Sequence, residues 1–460
     1  MWAANISKFS GPRYLALASA IAEAINSGEL PSGAQLPPQR ELAEELDLTV
    51  GTVGRAYSIV KKRNLVVGKI GQGTFVCDNQ NGASASNNLP ETEPGTIDLA
   101  RYRNPVEGLS ELLISAMTEA ADNAILLPLH GYPPANGYLT HRVAGAKWIM
   151  KSGLQAQPEN VIVCCGAQQA LLVALAAFAK GGDEILAEEL TYSGLKSISA
   201  VQNLVLQGVK IDADGIIPES LDEACESSRA KILYLQPTLH NPTTSTLPEA
   251  RRHQVAEICR KHDLILIEDD TIATLMPNRP APLATLAPER TIFITSLSKS
   301  ISPALRVGYL LAPPQLVDPL VSTLHAITLA NSQLVFEVAS TMIMNGAVDD
   351  VISKNFIDLS RRHETAAQML PNAQMLQNPA AFFAWLELPA HWSAHDFSQT
   401  VRAAGVSVVP ADSFSVGDLP PPHAVRLALT PAPNIKALES GLDIVKQVLE
   451  AHPRPKMAVV

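Results

Sequence analysis

The stretch "SLSKSISPALRVGYL", residues 296–310, gathers groups that can do chemistry. Lys299 carries an amine able to condense with an aldehyde. Ser296 and Ser298 add hydroxyls, and Arg306 adds a fixed guanidinium suited to a phosphate. A lysine–arginine pair alone is ordinarily structural, so the stretch needs partners. They stand at the ends of strand-like runs, where open α/β sheets place ligands. After "NVIVCC" comes "GAQQALL": Gly166 permits a tight turn, and the N–H groups of Ala167 and Gln168 open a helix whose positive end favours a phosphate. Asp269 ends "LILIEDD", placed to keep a ring nitrogen protonated. Asn241 in "PTLHNPTT" can donate to a phenolate oxygen, and Tyr192 in "ELTYSG" offers a ring for stacking. Singly these are a turn, a loop amide, an acidic strand end and a packing ring. Together they describe an aldehyde, a phenolate oxygen, a ring nitrogen and a phosphate. That ligand is pyridoxal 5′-phosphate (PLP), an electron sink.

These residues need a scaffold. At 460 residues the chain is too long for one small core, and 47% apolar with 17% charged residues is ordinary for a folded protein. Short apolar runs ("NVIVCC", "EILAEE", "KILYLQP", "LILIEDD", "TIFITS") alternate with helical stretches, which reads as an α/β fold with a mainly parallel or mixed sheet. From about 331 the runs "AFFAWLEL", "VSVVPA" and "AVRLALT" suggest a smaller α+β lobe, leaving a large lobe over about 98–330. The run "ALLVALAAFA", 170–179, is too short for a membrane span and reads as a buried helix. Five cysteines, at 77, 164, 165, 225 and 259, form no CxxC pair. Free thiols in a reducing cytoplasm, without a metal site, are expected.

Residues 1–76 differ in kind. They hold eight Lys/Arg against six Asp/Glu, net +2, while the rest holds 27 against 39, net −12. An acidic body repels nucleic acid, so any DNA contact belongs to the N-terminal part. Helical spacing over 14–27 stops at Gly28, Pro38 opens a second helix, and Thr49 can cap a third, "VGTVGRAYSIVKKR". Two strands, "LVVGK" and "TFVC", then flank "IGQG". Three helices and a hairpin make a winged helix-turn-helix. Residues 77–97, rich in Asn, Ser, Gly and Pro, have the composition of a flexible linker.

Through "SGELPSGAQLPPQRELAEELDLTVGTVGRAY" and "GQGTFV" the head resembles the GntR family of bacterial transcription factors. The resemblance implies that Arg40, Thr49, Thr52 and Arg55 lie near DNA and that Gly71 and Gly73 shape the wing tip. Val50, Gly51 and Gly54 stand where some relatives carry arginine or polar base-readers. The order Gly166-Ala167-Gln168, Tyr192, Asn241, Asp269, Lys299, Arg306 resembles fold-type-I aminotransferases over roughly 98–450. This implies that Lys299 forms the internal aldimine, that Asp269, Asn241 and Tyr192 meet the ring, and that Ala167, Gln168, Ser296 and Arg306 hold the phosphate. Tyr132 in "GYPPANG" matches a tyrosine that reaches the phosphate across a homodimer interface, and Arg426 in "AVRLALT" matches an arginine that clamps a substrate carboxylate. Joined, the two parts resemble the MocR subfamily of GntR regulators.

The resemblance implies a cytoplasmic, dimeric regulator that binds operator DNA and senses an amino-group effector through an external aldimine. Two alternatives stand beside it: an active aminotransferase with an accessory head, and a regulator sensing PLP itself. Three departures bear on the choice. Thr271 and Ile272 occupy positions where relatives usually place a tyrosine, Ala380-Ala381 replaces a common Gly-Gly, and Ala411 a common glycine.

Overall fold

The computed structural model describes residues 6, 11–26, 29–31, 33–62, 65–69, 73–76, 95–124, 130–417 and 421–451. The chain divides into two units, residues 1–94 and 95–460.

In the head, helices α1 (Arg13–Asn26), α2 (Gln39–Glu45) and α3 (Val50–Lys62) precede an antiparallel hairpin of Val66–Lys69 and Gly73–Val76. Apolar spacing explains the packing. Leu17, Ala18, Ile21 and Ala24 on α1 meet Val53, Ala56, Tyr57 and Val60 on α3, with Leu42, Val66 and Val76 completing the core. Pro38 does not open α2 from within. It is the extended residue just before it, at φ −55° and ψ 138°. Thr49 caps α3 as expected, its hydroxyl accepting from the Thr52 amide at 3.2 Å. The hairpin gains an edge from residues 33–36, through Leu36 N to Thr74 O and Val76 N to Ala34 O, both 2.8 Å.

The body is built on a seven-stranded sheet: β1 (Val161–Cys164), β2 (Glu184–Glu188), β3 (Val205–Val209), β4 (Ile232–Leu235), β5 (Ile265–Asp269), β6 (Thr291–Ser296) and β7 (Gly308–Leu311). Its spatial order is β1-β7-β6-β5-β4-β2-β3. Only β7 runs against its neighbours, pairing antiparallel with β6 and β1. The sheet is therefore mixed and covered on both faces. Along β1, Val161 and Val163 join one apolar cluster with Trp148, while Ile162 and Cys164 join another with Leu171 and Leu175. The expected buried helix is Ala167–Phe178. Strand β3 is an edge strand, which explains its weak apolar signal: Val205 is 51% exposed.

The smaller lobe has a four-stranded antiparallel sheet of Met375–Leu376, Phe383–Glu387, Ala424–Ala428 and Val409–Pro410. Around the boundary expected near 331, helix Gln333–Met344 still packs into the large-lobe core through Phe336 and Met342. The 23-residue helix Ala347–Met369 runs from that core, at Val348 and Val351, to the small-lobe core at Ala366. At the other end, Ile97–Asp98 pairs in parallel with Val406–Ser407, and Leu99 lies in the small-lobe core.

Candidate functional site

Loops at the carboxyl edge of the parallel strands carry the sequence-selected residues of the body. Ala167 follows β1, Tyr192 follows β2, Asn241 follows β4, Asp269 ends β5, and Lys299 and Arg306 fall between β6 and β7. A reversal of chain direction between β6 and β7 brings Arg306 back to this edge. This is the crevice where open α/β sheets take ligands.

At one end lies an anion cradle. Gly166 caps helix Ala167–Phe178 without a side-chain bond, at φ +83°, so the first amides project from the helix end. A Cβ at Gly166 would come 3.0 Å from Arg306 Nη2, and one at Gly308 would come 2.6 Å from the Gly166 carbonyl carbon. Both glycines are dictated by this contact. Arg306 itself adopts φ +47° and reaches the Cys165 carbonyl at 3.4 Å. Ser296 accepts from the Ser298 amide and donates to the Val307 carbonyl, both at 3.0 Å, and so fixes the short Lys299 helix Leu297–Ser300. The Ser298 hydroxyl is buried without a hydrogen-bond partner. A helix end, a guanidinium and an orphaned hydroxyl fit a phosphate.

At the other end Asp269 is the residue held most firmly. Tyr234 OH (2.7 Å) and Gln236 Nε2 (3.1 Å) donate to Oδ2, and Thr271 donates to Oδ1 through N (3.1 Å) and Oγ1 (2.8 Å). Burial pushes this carboxyl above its ordinary range, while Tyr234 and Thr271 pull the other way. Its neighbours are spoken for: Glu268 takes the amides of Leu283 and Ala284, and Asp270 pairs with Arg279. Tyr192 folds over Gly194, where a Cβ would lie 2.2 Å from the ring, and donates to Gln168 Oε1 at 3.0 Å. Thr271, noted as a departure, thus serves to orient Asp269. Ile272 enters an apolar cluster with Ala380, Ala381, Phe382 and Phe383. Ala411 is buried at the start of a short turn.

Lys299 lies between these ends. Its amine sits 4.5 Å from the Tyr102 ring centroid. Burial lowers its pKa to about 8, helped by Arg426 and Arg306 and opposed by Asp269. Arg426 is held between the rings of Phe383 (5.1 Å) and Phe414 (4.9 Å). It donates to Asn241 Oδ1 (2.8 Å) and the Ala100 carbonyl (3.0 Å), while its Nε is buried and unpartnered. Among the described residues no carboxylate pairs with it. Segment 97–104 ties these parts together. Ala100 takes Arg426, Tyr102 OH donates to the Lys299 carbonyl, and Asn104 Nδ2 donates to the Ile301 carbonyl.

Sequence reasoning missed Tyr102, Tyr234, Gln236, Phe383 and Phe414. Tyr234 has no signal of its own, because only the register Ile267↔Tyr234 brings it beside Asp269. Tyr132 is not gathered into the site of its own chain and stands 83% exposed. In the head, Arg40, Thr49 and Arg55 are exposed and Thr52 is half-exposed beside Thr49. Gly73 takes φ +113°, and a Cβ there would strike Gln35 Nε2 at 2.6 Å. Gly71 lies outside the described residues.

Comparison with known proteins matches this division. Residues 13–76 match the family model of bacterial regulatory proteins, gntR family, and 94–444 match aminotransferase class I and II. The uncharacterized HTH-type transcriptional regulator YdeF of Bacillus subtilis is 31% identical over 98% of this chain and 97% of its own length. The 2-aminoadipate transaminase of Thermus thermophilus is 28% identical, over 62% of this chain and 72% of that one. The solved structure of LysN, the alpha-aminoadipate aminotransferase of Thermus thermophilus complexed with N-(5′-phosphopyridoxyl)-L-leucine, superposes with TM-score 0.70 at 23% identity. It covers 78% of this chain and 93% of that one, a likeness of fold. A winged DNA-binding head on a fold-type-I aminotransferase-like body defines a class of transcriptional regulator. The chain belongs to the MocR subfamily of GntR regulators, and its body to the aminotransferase class I and II family.

Proposed function

We propose that this regulator changes its grip on operator DNA when an amino compound bearing a carboxylate enters the basin beside PLP bound at Lys299. The observation that carries the reading is Arg426: a cation stacked between two rings, with no carboxylate partner among the described residues and an unused Nε. Such a guanidinium suits an incoming carboxylate held bidentately. PLP, when bound, supplies an aldehyde that exchanges amines and a ring that withdraws electrons. The amides of Ala167 and Gln168, Ser298 and Arg306 would hold its phosphate. Asp269 would hold the ring nitrogen, Asn241 the ring oxygen, and Tyr192 the ring face.

Lys299 would present the amine that holds PLP, and Arg426 would receive the effector's carboxylate. Both residues are bonded to segment 97–104, which comes directly after the linker in sequence. The effector thus acts on the root of the connection to the head. It shifts DNA binding only as far as it favours one arrangement of this segment over another. Exposed Ile114, Met117, Leu139, Val143, Leu334 and Met344 on three packed helices support a homodimer, in which Tyr132 serves the partner subunit's site.

Fluorescence anisotropy of the full chain on its own promoter DNA tests this. With PLP present, one member of an amino-acid panel changes the affinity about tenfold or more, a coupling in the usual allosteric range, and Arg426→Gln abolishes the response. A response to PLP alone, indifferent to every amino acid, would replace the proposal with a PLP sensor. Multiple turnovers of an ordinary amino acid with no change in DNA binding would replace it with an enzyme.

A further inference from the structure

Lys299 sits on a four-residue helix, Leu297–Ser300, too short to hold a side chain steady by its own hydrogen bonds. The end of this helix is pinned from outside. Three successive carbonyls each accept from a side chain: Lys299 from Tyr102 OH, Ser300 from Asn355 Nδ2 at 2.6 Å, and Ile301 from Asn104 Nδ2. A helix end leaves such carbonyls without backbone partners, and a buried one left open is costly. Asn355 comes from the long helix Ala347–Met369 and is fully buried. Tyr102 and Asn104 come from segment 97–104, the first ordered stretch of the body.

Tyr102 does more than bond the backbone. Its ring lies 4.5 Å from the Lys299 amine, and Phe382 packs edge-on against it with 4.8 Å between centroids. Burial pushes the Tyr102 phenol up, so it stays a neutral donor and its ring face suits an ammonium. The charged groups that bear on this amine are Arg426 and Arg306, which oppose its protonation, and Asp269, which favours it. The Tyr102 ring acts on the side of Asp269.

Resting on the reading that PLP is bound at Lys299, we propose that Tyr102 is the positioning residue that makes this lysine competent to capture the aldehyde. The hydroxyl fixes the Lys299 backbone and the ring fixes its amine, so capture requires segment 97–104 to be seated. The two contacts are separable. Tyr102→Phe removes the first and keeps the second, whereas Tyr102→Met removes both and leaves an apolar side chain of similar reach.

Stopped-flow absorbance follows PLP capture by the full chain across the Lys299 midpoint. Tyr102→Met slows the high-pH plateau at least tenfold and moves the midpoint down by about one unit, because the ammonium loses its ring. Tyr102→Phe slows the plateau about threefold, as for one lost hydrogen bond, and keeps the midpoint. Asn104→Ala frees a carbonyl without touching the amine and also keeps the midpoint. The proposal is overturned if Tyr102→Met keeps the wild-type plateau or the wild-type midpoint, or if Tyr102→Phe shifts the midpoint as far. Should Tyr102→Met fail to fold, Tyr102→Phe decides: a slowed plateau at an unmoved midpoint supports the proposal, and a wild-type plateau overturns it. If the wild type captures no PLP, the PLP reading falls and this inference with it; wild-type capture with unaffected variants sinks this inference alone.

Discussion

The two units present their candidate functional residues in opposite ways. In the head, apart from the wing glycines, they lie within sixteen positions, Arg40 to Arg55, and their side chains are exposed or half-exposed. In the body they are drawn from Tyr102 to Arg426, and nearly every one is held by a named neighbour. A surface made to meet a large rigid partner needs only a stable helix and exposed groups; the partner supplies the rest. A pocket for a small ligand must be finished before the ligand arrives. Its groups are therefore buried, mutually bonded and shifted in proton affinity.

The sharpest way to break this contrast is Lys299→Ala. Loss of the borohydride-trappable PLP adduct is expected to be complete, with the melting temperature of the body little changed. Mass spectrometry that located the adduct on another lysine would show that the body's site is not centred where its neighbours converge.

Next in size is a pH effect. A neutral amine captures the aldehyde. With Lys299 held at about 8 rather than 10.5, capture rises about tenfold per pH unit below 8 and levels off above it. Arg426→Gln removes one depressing charge and moves the midpoint upward. Stopped-flow absorbance of PLP capture measures both, and a profile still climbing past pH 9 would mean that burial does not tune this lysine.

In the head the effects are smaller and additive. Arg40→Ala lowers DNA affinity severalfold and reduces the slope of log K against log salt by about 0.9, as for one lost phosphate contact. An unchanged slope in a salt titration removes Arg40 from the interface. Smallest is Thr49→Ala, which deletes the α3 cap and costs about 1 kcal/mol of head stability, read by thermal denaturation. If Thr49→Ala instead weakened DNA binding with no loss of stability, Thr49 would belong to the contact surface.

Much of this was legible in the residues. The α3 pattern, the cap at Thr49, the buried β1, β4, β5 and β6 runs and the Gly166 turn are local signals, set by spacing of 3.6 or 2 and by turn chemistry. The edge strand β3 was not legible, because an edge carries no continuous apolar run. Nor was the helix Gln333–Met344 separable from the small lobe: its apolar residues announce a core but not which core. The departures at Thr271 and Ile272 read differently once placed, one as a ligand of Asp269's carboxylate and the other as packing.

By itself the sequence determined the two-part plan, the Lys299 stretch 296–306 with its serines and arginine, and the third helix of the head, because each depends on residues close together along the chain. Tertiary structure alone decided that Tyr234 and Thr271 hold Asp269, that Phe383 and Phe414 flank Arg426, and that segment 97–104 joins that arginine to the Lys299 loop. The reason is physical. Strand register and lobe packing bring together groups hundreds of positions apart, and no local pattern records which side chain will stand opposite another across a sheet.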